Sequence, residues 1–328
     1  MKVIGIEEHL VTVDVQGAWS AASLVDDDTR LMHREEIDRR LTDLGGERLR
    51  LMDETGVDVQ VLSLTSPGLH NLAGAESVAV ARRTNDLIAA TVAARPDRFQ
   101  GFATLPTPSP QDAARELERA VRDLGLKGAM VFGRTREKNL DHPDFQPILE
   151  RAAALRVPLF IHPQIPQRPV RAAYYSGLGE AVDLAFAAFG LGWHYETGIQ
   201  FLRLVLSGTF DRIPDLQVIL GHWGEVVVFY AERIEALCRM ARLRLPLEGY
   251  LRRNVHLTCS GMYSPTYLAR ALEIVGADRL LFSTDYPYQY RPGGEARRFL
   301  EEARLEPGDR EKLAHANWER LTRQASPR

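Results

Sequence analysis

What most constrains this chain is a rhythm. Eight short apolar runs rich in β-branched residues alternate with longer segments whose apolar positions recur at helical spacing. The runs occupy residues 3–6, 57–64, 99–104, 128–131, 157–161, 217–220, 255–258 and 280–282. Pro158 falls near the start of the fifth, where a missing backbone donor is best tolerated. Two intervening segments are typical. Residues 77–94 carry Val78, Ala81, Leu87, Ile88 and Val92 on one side and stop before Arg95-Pro96. Residues 109–124 open with Ser109-Pro110, a cap followed by proline at the first helical position. Strand–helix alternation predicts a parallel sheet, and eight units predict an α/β fold closed as a (β/α)8 barrel of the TIM type. An open doubly wound sheet is the alternative, but no Gly-x-Gly-x-x-Gly turn follows an early strand.

The chain's 328 residues suit one such barrel, so residues 1–328 are expected to form a single domain. Two stretches exceed a minimal barrel. Residues 10–53 follow the first strand and are expected to carry a helix over residues 35–55. Residues 163–198 follow the fifth and hold Pro163, Pro166, Pro169 and the apolar run 181–190. Insertions after strands 1 and 5 sit on the catalytic face of such a barrel, so both are expected to act as lids or substrate walls. The last residues, 324–328, are expected to fray. The net charge of −3 gives no electrostatic case for nucleic acid or an anionic membrane. No apolar run is long enough to span a bilayer, and no signal-peptide pattern precedes the first strand. Cys238 and Cys259 are read as free thiols of a cytoplasmic protein.

Four polar motifs follow apolar strands: Glu7-Glu8-His9, Ile161-His162-Pro163, Gly221-His222-Trp223-Gly224-Glu225 and Ser283-Thr284-Asp285-Tyr286-Pro287. Parallel strand ends converge on one face of a barrel, so these side chains belong to one site. Glu7 and His9 are two apart on a strand and share a side, while Glu8 points away. A lone His162 is more often a core residue than a ligand. Burying Asp285 unpaired, however, is costly. Together, Glu7, His9, His162 and Asp285 read as ligands of one borderline divalent metal. Glu225 either answers a helix dipole or orients His222, fixing its tautomer. Of the other histidines, His33, His70, His142, His194, His256 and His315, only His256 lies on a strand, facing either core or cavity.

These motifs resemble the decarboxylase branch of the amidohydrolase superfamily, which includes γ-resorcylate, 2,3-dihydroxybenzoate and aminocarboxymuconate semialdehyde decarboxylases. The resemblance covers nearly the whole chain. Its most specific block is Leu206-Ser207-Gly208-Thr209-Phe210-Asp211-Arg212-Ile213-Pro214 followed by Ile219-Leu220-Gly221-His222-Trp223-Gly224-Glu225. It implies metal binding by Glu7, His9, His162 and Asp285, catalysis by Asp285, His222 and Glu225, and substrate contact by Arg233. The chain departs from the branch at Phe132, where dihydroxybenzoate enzymes carry asparagine, and at Leu10, Tyr286 and Tyr288. Phe132, Trp193 and Tyr288 are therefore expected to line a substrate site of altered selectivity. The expected reaction is non-oxidative decarboxylation of a small ortho-hydroxy aromatic or related unsaturated carboxylic acid; metal-dependent hydrolysis of a lactone or amide is the alternative. Zinc is the first expectation for the metal and manganese the second. Two-metal hydrolases of this superfamily bridge their ions with a lysine at the end of the fourth strand; here Lys127 precedes that strand and Phe132-Gly133 follow it, so the resemblance implies a mononuclear site. A homodimer or homotetramer is implied by the resemblance.

Overall fold

The computed structural model describes residues 1–22 and 34–323, so the expected fraying of residues 324–328 and His33 lie outside the described residues. Eight parallel strands form the frame. They are β1 (Ile4–Leu10), β2 (Val59–Leu64), β3 (Phe99–Gly101, resuming at Ala103–Thr104), β4 (Ala129–Phe132), β5 (Leu159–His162), β6 (Val218–Leu220), β7 (Val255–Thr258) and β8 (Leu280–Leu281). The third run, expected to be continuous, breaks at Phe102. Its first half pairs with β2 and its second with β4, so this bend carries the sheet around a corner. Closure comes from β1, whose Ile6 N–H donates to Phe282 O (3.0 Å) and His9 N–H to Tyr286 O (2.7 Å). The sheet is a closed (β/α)8 barrel.

Alternation along the strands separates two cores. Ile219 faces the barrel interior with Ile4, Ile6, Val61, Phe102, Met130 and Phe160. Val218 and Leu220 face outward, against the surrounding helices. Trp318, from the helix Asn317–Thr322, joins the interior cluster beside the N-terminal strand ends, and its indole N–H donates to Gln100 Oε1 at 2.8 Å. The lower barrel is thus filled with side chains.

β1 is longer than expected and carries Glu7, Glu8 and His9 within it. A bulge between Gly5 and Glu8 sets three steps of β1 against two of β2. This extra residue explains how apolar Ile6 and polar Glu7 come to face inward in succession. Gly5 is required here: a Cβ would lie 2.2 Å from Glu8 Oε1.

The insertion after β1 holds helices Val13–Ala21, Glu35–Thr42 and Gly46–Thr55. The single helix expected over residues 35–55 is two, because Asp43 turns the chain. Its carboxylate accepts from Gly45 N–H (3.0 Å) and Arg48 N–H (2.6 Å). The insertion after β5 holds Arg168–Tyr174, Glu180–Ala185, a wide turn at Phe186–Gly190 and the helix Gly192–Leu206. The helix expected from residue 109 runs Pro110–Arg122, but Ser109 does not cap its backbone; its hydroxyl donates to Asp112 Oδ2 at 2.6 Å. No helix among the described residues is long and apolar enough to cross a membrane.

Candidate metal centre and active site

The C-terminal strand ends bring the sequence-derived residues together. Glu7 is fully buried. Its Oε2 accepts from Ser260 Oγ and, more weakly, from Thr258 Oγ1 (3.4 Å) and Ser283 Oγ (3.4 Å). Its Oε1 has no hydrogen-bond partner among the described residues and lies 3.7 Å from His162 Nε2. His162 is oriented from behind: Nδ1 lies 2.9 Å from Pro163 O, which an Nδ1–H satisfies, leaving the Nε2 lone pair toward Glu7. His9 is fully buried beside it, the rings 4.8 Å apart at nearly a right angle. Ser63 Oγ holds His9 Nδ1 at 3.3 Å. His9 Nε2 makes no hydrogen bond among the described residues and lies 3.3 Å from Asp285 Oδ1.

The residues present fit a divalent cation. One ligand atom each from Glu7, His9 and His162 lies within 4.8 Å of the others, and two of these buried atoms are orphans. Such buried acceptors are costly when left unanswered, and one cation can answer a carboxylate oxygen and an imidazole lone pair together. Burial keeps both imidazoles neutral, His9 down to about 3 and His162 well below its usual value. That is the protonation state a metal requires. Burial also pushes the Glu7 carboxyl up to about 8, with the Asp285 charge adding to the rise. Asp285 joins this group through His9. It sits on left-handed backbone at φ +57° and lines the cavity. Burial, opposed by His222, pushes its carboxyl up to about 7.

Glu8 does point away from this centre, but not into solvent. Its carboxylate accepts from Thr284 N–H (2.8 Å), Thr284 Oγ1 (2.5 Å) and Gln60 Nε2 (3.1 Å). It thereby ties β1 to the Asp285 segment. Arg48, also buried, donates to His9 O (2.5 Å) and Gln60 Oε1 (3.1 Å) and lies over the Tyr286 ring.

His222 and Glu225 form the expected pair, with Nδ1 and Oε1 2.7 Å apart. The helix-dipole reading of Glu225 fails. His222, Trp223, Gly224, Glu225 and Val226 all have positive φ, from +47° to +92°, so no right-handed first turn exists there. Non-glycine residues in this region carry strain, and Val226 is β-branched. The turn is held by Ser260 Oγ, which accepts from His222 N–H (2.9 Å), and by Trp223, whose indole donates to Met262 O (2.8 Å). Burial opposes charge on both partners, yet their mutual attraction wins: His222 is raised to about 10 and Glu225 lowered to about 2, His194 assisting.

His194 was not singled out by the sequence, yet its Nδ1 lies 2.8 Å from Glu225 Oε2. No strand-end pattern marks it. It comes from the helix Gly192–Leu206, and only packing brings it in. His256, open between core and cavity, lies away from this face among Arg156, Arg252, Arg279 and Arg320. Arg233 is exposed on the helix Ala231–Met240 and lines neither of the two cavities over the centre. That helix follows the turn Val227–Phe229 and runs along the surface.

Two adjoining cavities open over the centre. One of about 620 Å³ is lined by His162, His194, His222, Glu225, Asp285 and Tyr288 among others. The second, about 410 Å³, is lined by Phe132, His70, Arg134 and Gln164, and shares Ser66 and Trp193 with the first. Tyr288 packs 5.7 Å from the His9 ring and hydrogen-bonds Thr65 Oγ1 at 2.6 Å. Phe132 stacks edge-on to His162. Leu10 is core, and Tyr286 turns to Arg48.

A protein-family model described as amidohydrolase matches residues 10–323. A γ-resorcylate decarboxylase of a Polaromonas species is 35% identical over 331 residues, covering 97% of each chain. The solved structure of 5-carboxyvanillate decarboxylase from Sphingomonas paucimobilis superimposes with a TM-score of 0.90 at 34% identity, covering 98% of this chain and 99% of that one. A dihydroxybenzoic acid decarboxylase from Polaromonas, solved with manganese and the inhibitor 2-nitroresorcinol, gives 0.84 at 34% identity over 98% and 97% of the two chains.

Proposed function

This chain belongs to the amidohydrolase family, and from that premise we propose that it is a metal-dependent decarboxylase of a small aromatic acid bearing an ortho-hydroxyl group. The observation that carries the reading is Asp285. It is a buried carboxyl poised near neutrality, 3.3 Å from an imidazole nitrogen that has no hydrogen bond, on the wall of the cavity that His222 also lines. A general acid works best when its pKa lies near the operating pH.

Glu7, His9, His162 and Asp285 would hold one divalent ion. When bound, the ion supplies Lewis-acid polarisation and a template for the substrate's carboxylate and hydroxyl oxygens. Manganese is favoured over zinc, the first expectation from sequence, because the donor set of two carboxylates and two imidazoles suits either metal and manganese is bound in a relative that covers nearly the whole chain. The chain's own residues do the rest. Tyr288 and Phe132 hold the ring, and orientation of this kind removes much of the barrier. The Asp285 carboxyl gives its proton to the ring carbon that bears the carboxylate, breaking aromaticity. The carbon–carbon bond then cleaves, its electron pair returns to the ring, and CO2 leaves. Asp285 is left ionised. His222, kept cationic by Glu225, draws the anionic acid into the cavity and passes its proton to Asp285, regaining one from solvent, so that each turnover consumes one solvent proton.

The insertions after β1 and β5 serve as lids: Trp193, Phe189 and Leu191 of the second line the catalytic cavity. The whole chain, residues 1–328, works as one catalytic domain. A homodimer or homotetramer is supported by Phe189, Tyr195, Ile199, Phe229 and Tyr230, large apolar groups left exposed around this face. The two cysteines are free and buried, which suits a cytoplasmic enzyme. Incubation with a panel of ortho-hydroxybenzoic acids, with CO2 release followed directly, tests the activity. Release from at least one is expected. Hydrolysis of lactones or amides with no CO2 from any acid would overturn it.

A further inference from the structure

Glu225 is fully buried, and each of its two oxygens has its own imidazole. Oε1 lies 2.7 Å from His222 Nδ1, and Oε2 lies 2.8 Å from His194 Nδ1. The two imidazole rings are 4.5 Å apart. The reaction proposed above uses His222 and Glu225 and leaves His194 without a task. We infer that His194 is a positioning residue that clamps Glu225 from the far side, and that Trp193 sets the tautomer in which it does so.

The neighbours fix the direction of each hydrogen bond. An indole N–H can only donate. Trp193 Nε1 lies 3.1 Å from His194 Nε2, so Nε2 accepts and the ring proton sits on Nδ1, where it is donated to Glu225 Oε2. Phe189 O lies 3.2 Å from the same Nε2 and could be a partner only if Nε2 carried a proton. Trp193 occupies the donor's place, so the neutral Nδ1–H tautomer is the one its geometry selects. Both oxygens of Glu225 are then acceptors, and its rotamer is held from two directions.

The helix that carries His194 is built to come this close. Gly198 lies one turn beyond it on Gly192–Leu206, and a Cβ there would sit 2.6 Å from the Glu225 carbonyl oxygen. Glu225 itself stands on left-handed backbone that does not fix its side chain as a regular helix would. A carboxylate on such a turn needs an outside restraint to keep Oε1 aimed at His222. A loose Glu225 would leave the His222 ring free to rotate. Outer hydrogen bonds that orient metal-ligating imidazoles change activity by about 10–100-fold, and a loss of the same order is expected for one that orients His222 through Glu225.

This inference rests on the proposed reaction only for its kinetic readout, so the test has a second arm that does not. Asparagine places an amide N–H close to where histidine Nδ1 sits; glutamine places it nearer Nε2. The variants are His194→Leu, His194→Asn and His194→Gln, loaded with Zn²⁺ as a diamagnetic ion. In histidine-labelled parent protein, nitrogen NMR is expected to report His194 protonated at Nδ1 and bare at Nε2, with two downfield imidazole N–H protons, one each from His194 and His222. His194→Leu removes the first and shifts the second. His194→Asn removes the first and leaves the second in place. In turnover of an ortho-hydroxy acid, His194→Leu lowers kcat by about 10–100-fold with KM and metal content unchanged. His194→Asn restores most of the loss and His194→Gln does not. An unmoved His222 signal in His194→Leu, an Nε2–H tautomer in the parent, or equal kcat for the leucine and asparagine variants would overturn the assignment. If no acid is turned over, the proposed reaction fails, and the NMR arm still decides the clamp.

Discussion

The two ends of the barrel are built on opposite principles. At the lower end Ile4, Ile6, Phe102, Phe160, Ile219 and Trp318 fill the interior, and the Trp318 indole N–H has its acceptor. At the upper end the same strands turn Glu7, His9 and His162 into the same axis. Two of those atoms are unpartnered, and the adjoining segments run through left-handed backbone at His222–Val226 and Asp285. The lower end lowers free energy by burial and packing. The upper end spends some of it on groups that need a cation or a substrate. Substitutions at the two ends should therefore separate stability from turnover.

The largest effect is expected at Asp285. In Asp285→Asn the amide cannot give up a proton but still offers an oxygen, so the variant should bind the aromatic acid and keep some metal. Its turnover should fall by about 10²–10⁴-fold, the usual contribution of a general acid. The parent enzyme carries a linked signature. Its acid must be protonated, so kcat should decline as pH rises through the pKa of that acid, and Asp285→Asn should lose that limb. A nearly active asparagine variant would remove Asp285 from the chemistry.

At the lower end the effect should be smaller in rate and plain in stability. Trp318→Ala empties a buried site that is 1% exposed. Losses of this type cost about 3–5 kcal/mol. Urea unfolding should show that loss, while kcat per folded molecule stays near the parent value. A collapse of kcat in fully folded Trp318→Ala would mean that the two ends are not separable.

The same contrast explains what could be read from sequence. Packing at the lower end follows alternation, so the strands at Val255–Thr258 and Val218–Leu220 emerged within a residue of expectation. The four ligand candidates were legible because strand ends converge whatever the details of packing. Glu8 was placed correctly by parity, but its role as a tie to Thr284 needs the β1 bulge and Gly5, which no period announces. The left-handed turn at His222–Val226 looks like a helix start in sequence, since its residues carry no turn signature except Gly224. His194 was missed because it lies 31 residues from Glu225 on a helix whose approach depends on one glycine. Arg233 came from family resemblance alone, and its place on an exposed helix lies outside what strand order can fix.

The central claim is that the upper strand ends make one metal centre from Glu7, His9, His162 and Asp285, with His222 outside it. Elemental analysis of the purified parent, His9→Ala, His162→Ala and His222→Asn tests this most directly. The parent and His222→Asn should each hold close to one divalent ion per chain, and both alanine variants should lose it, because each removes one of only four protein ligands. Full occupancy in His9→Ala and His162→Ala, or loss of the ion in His222→Asn, would contradict the account.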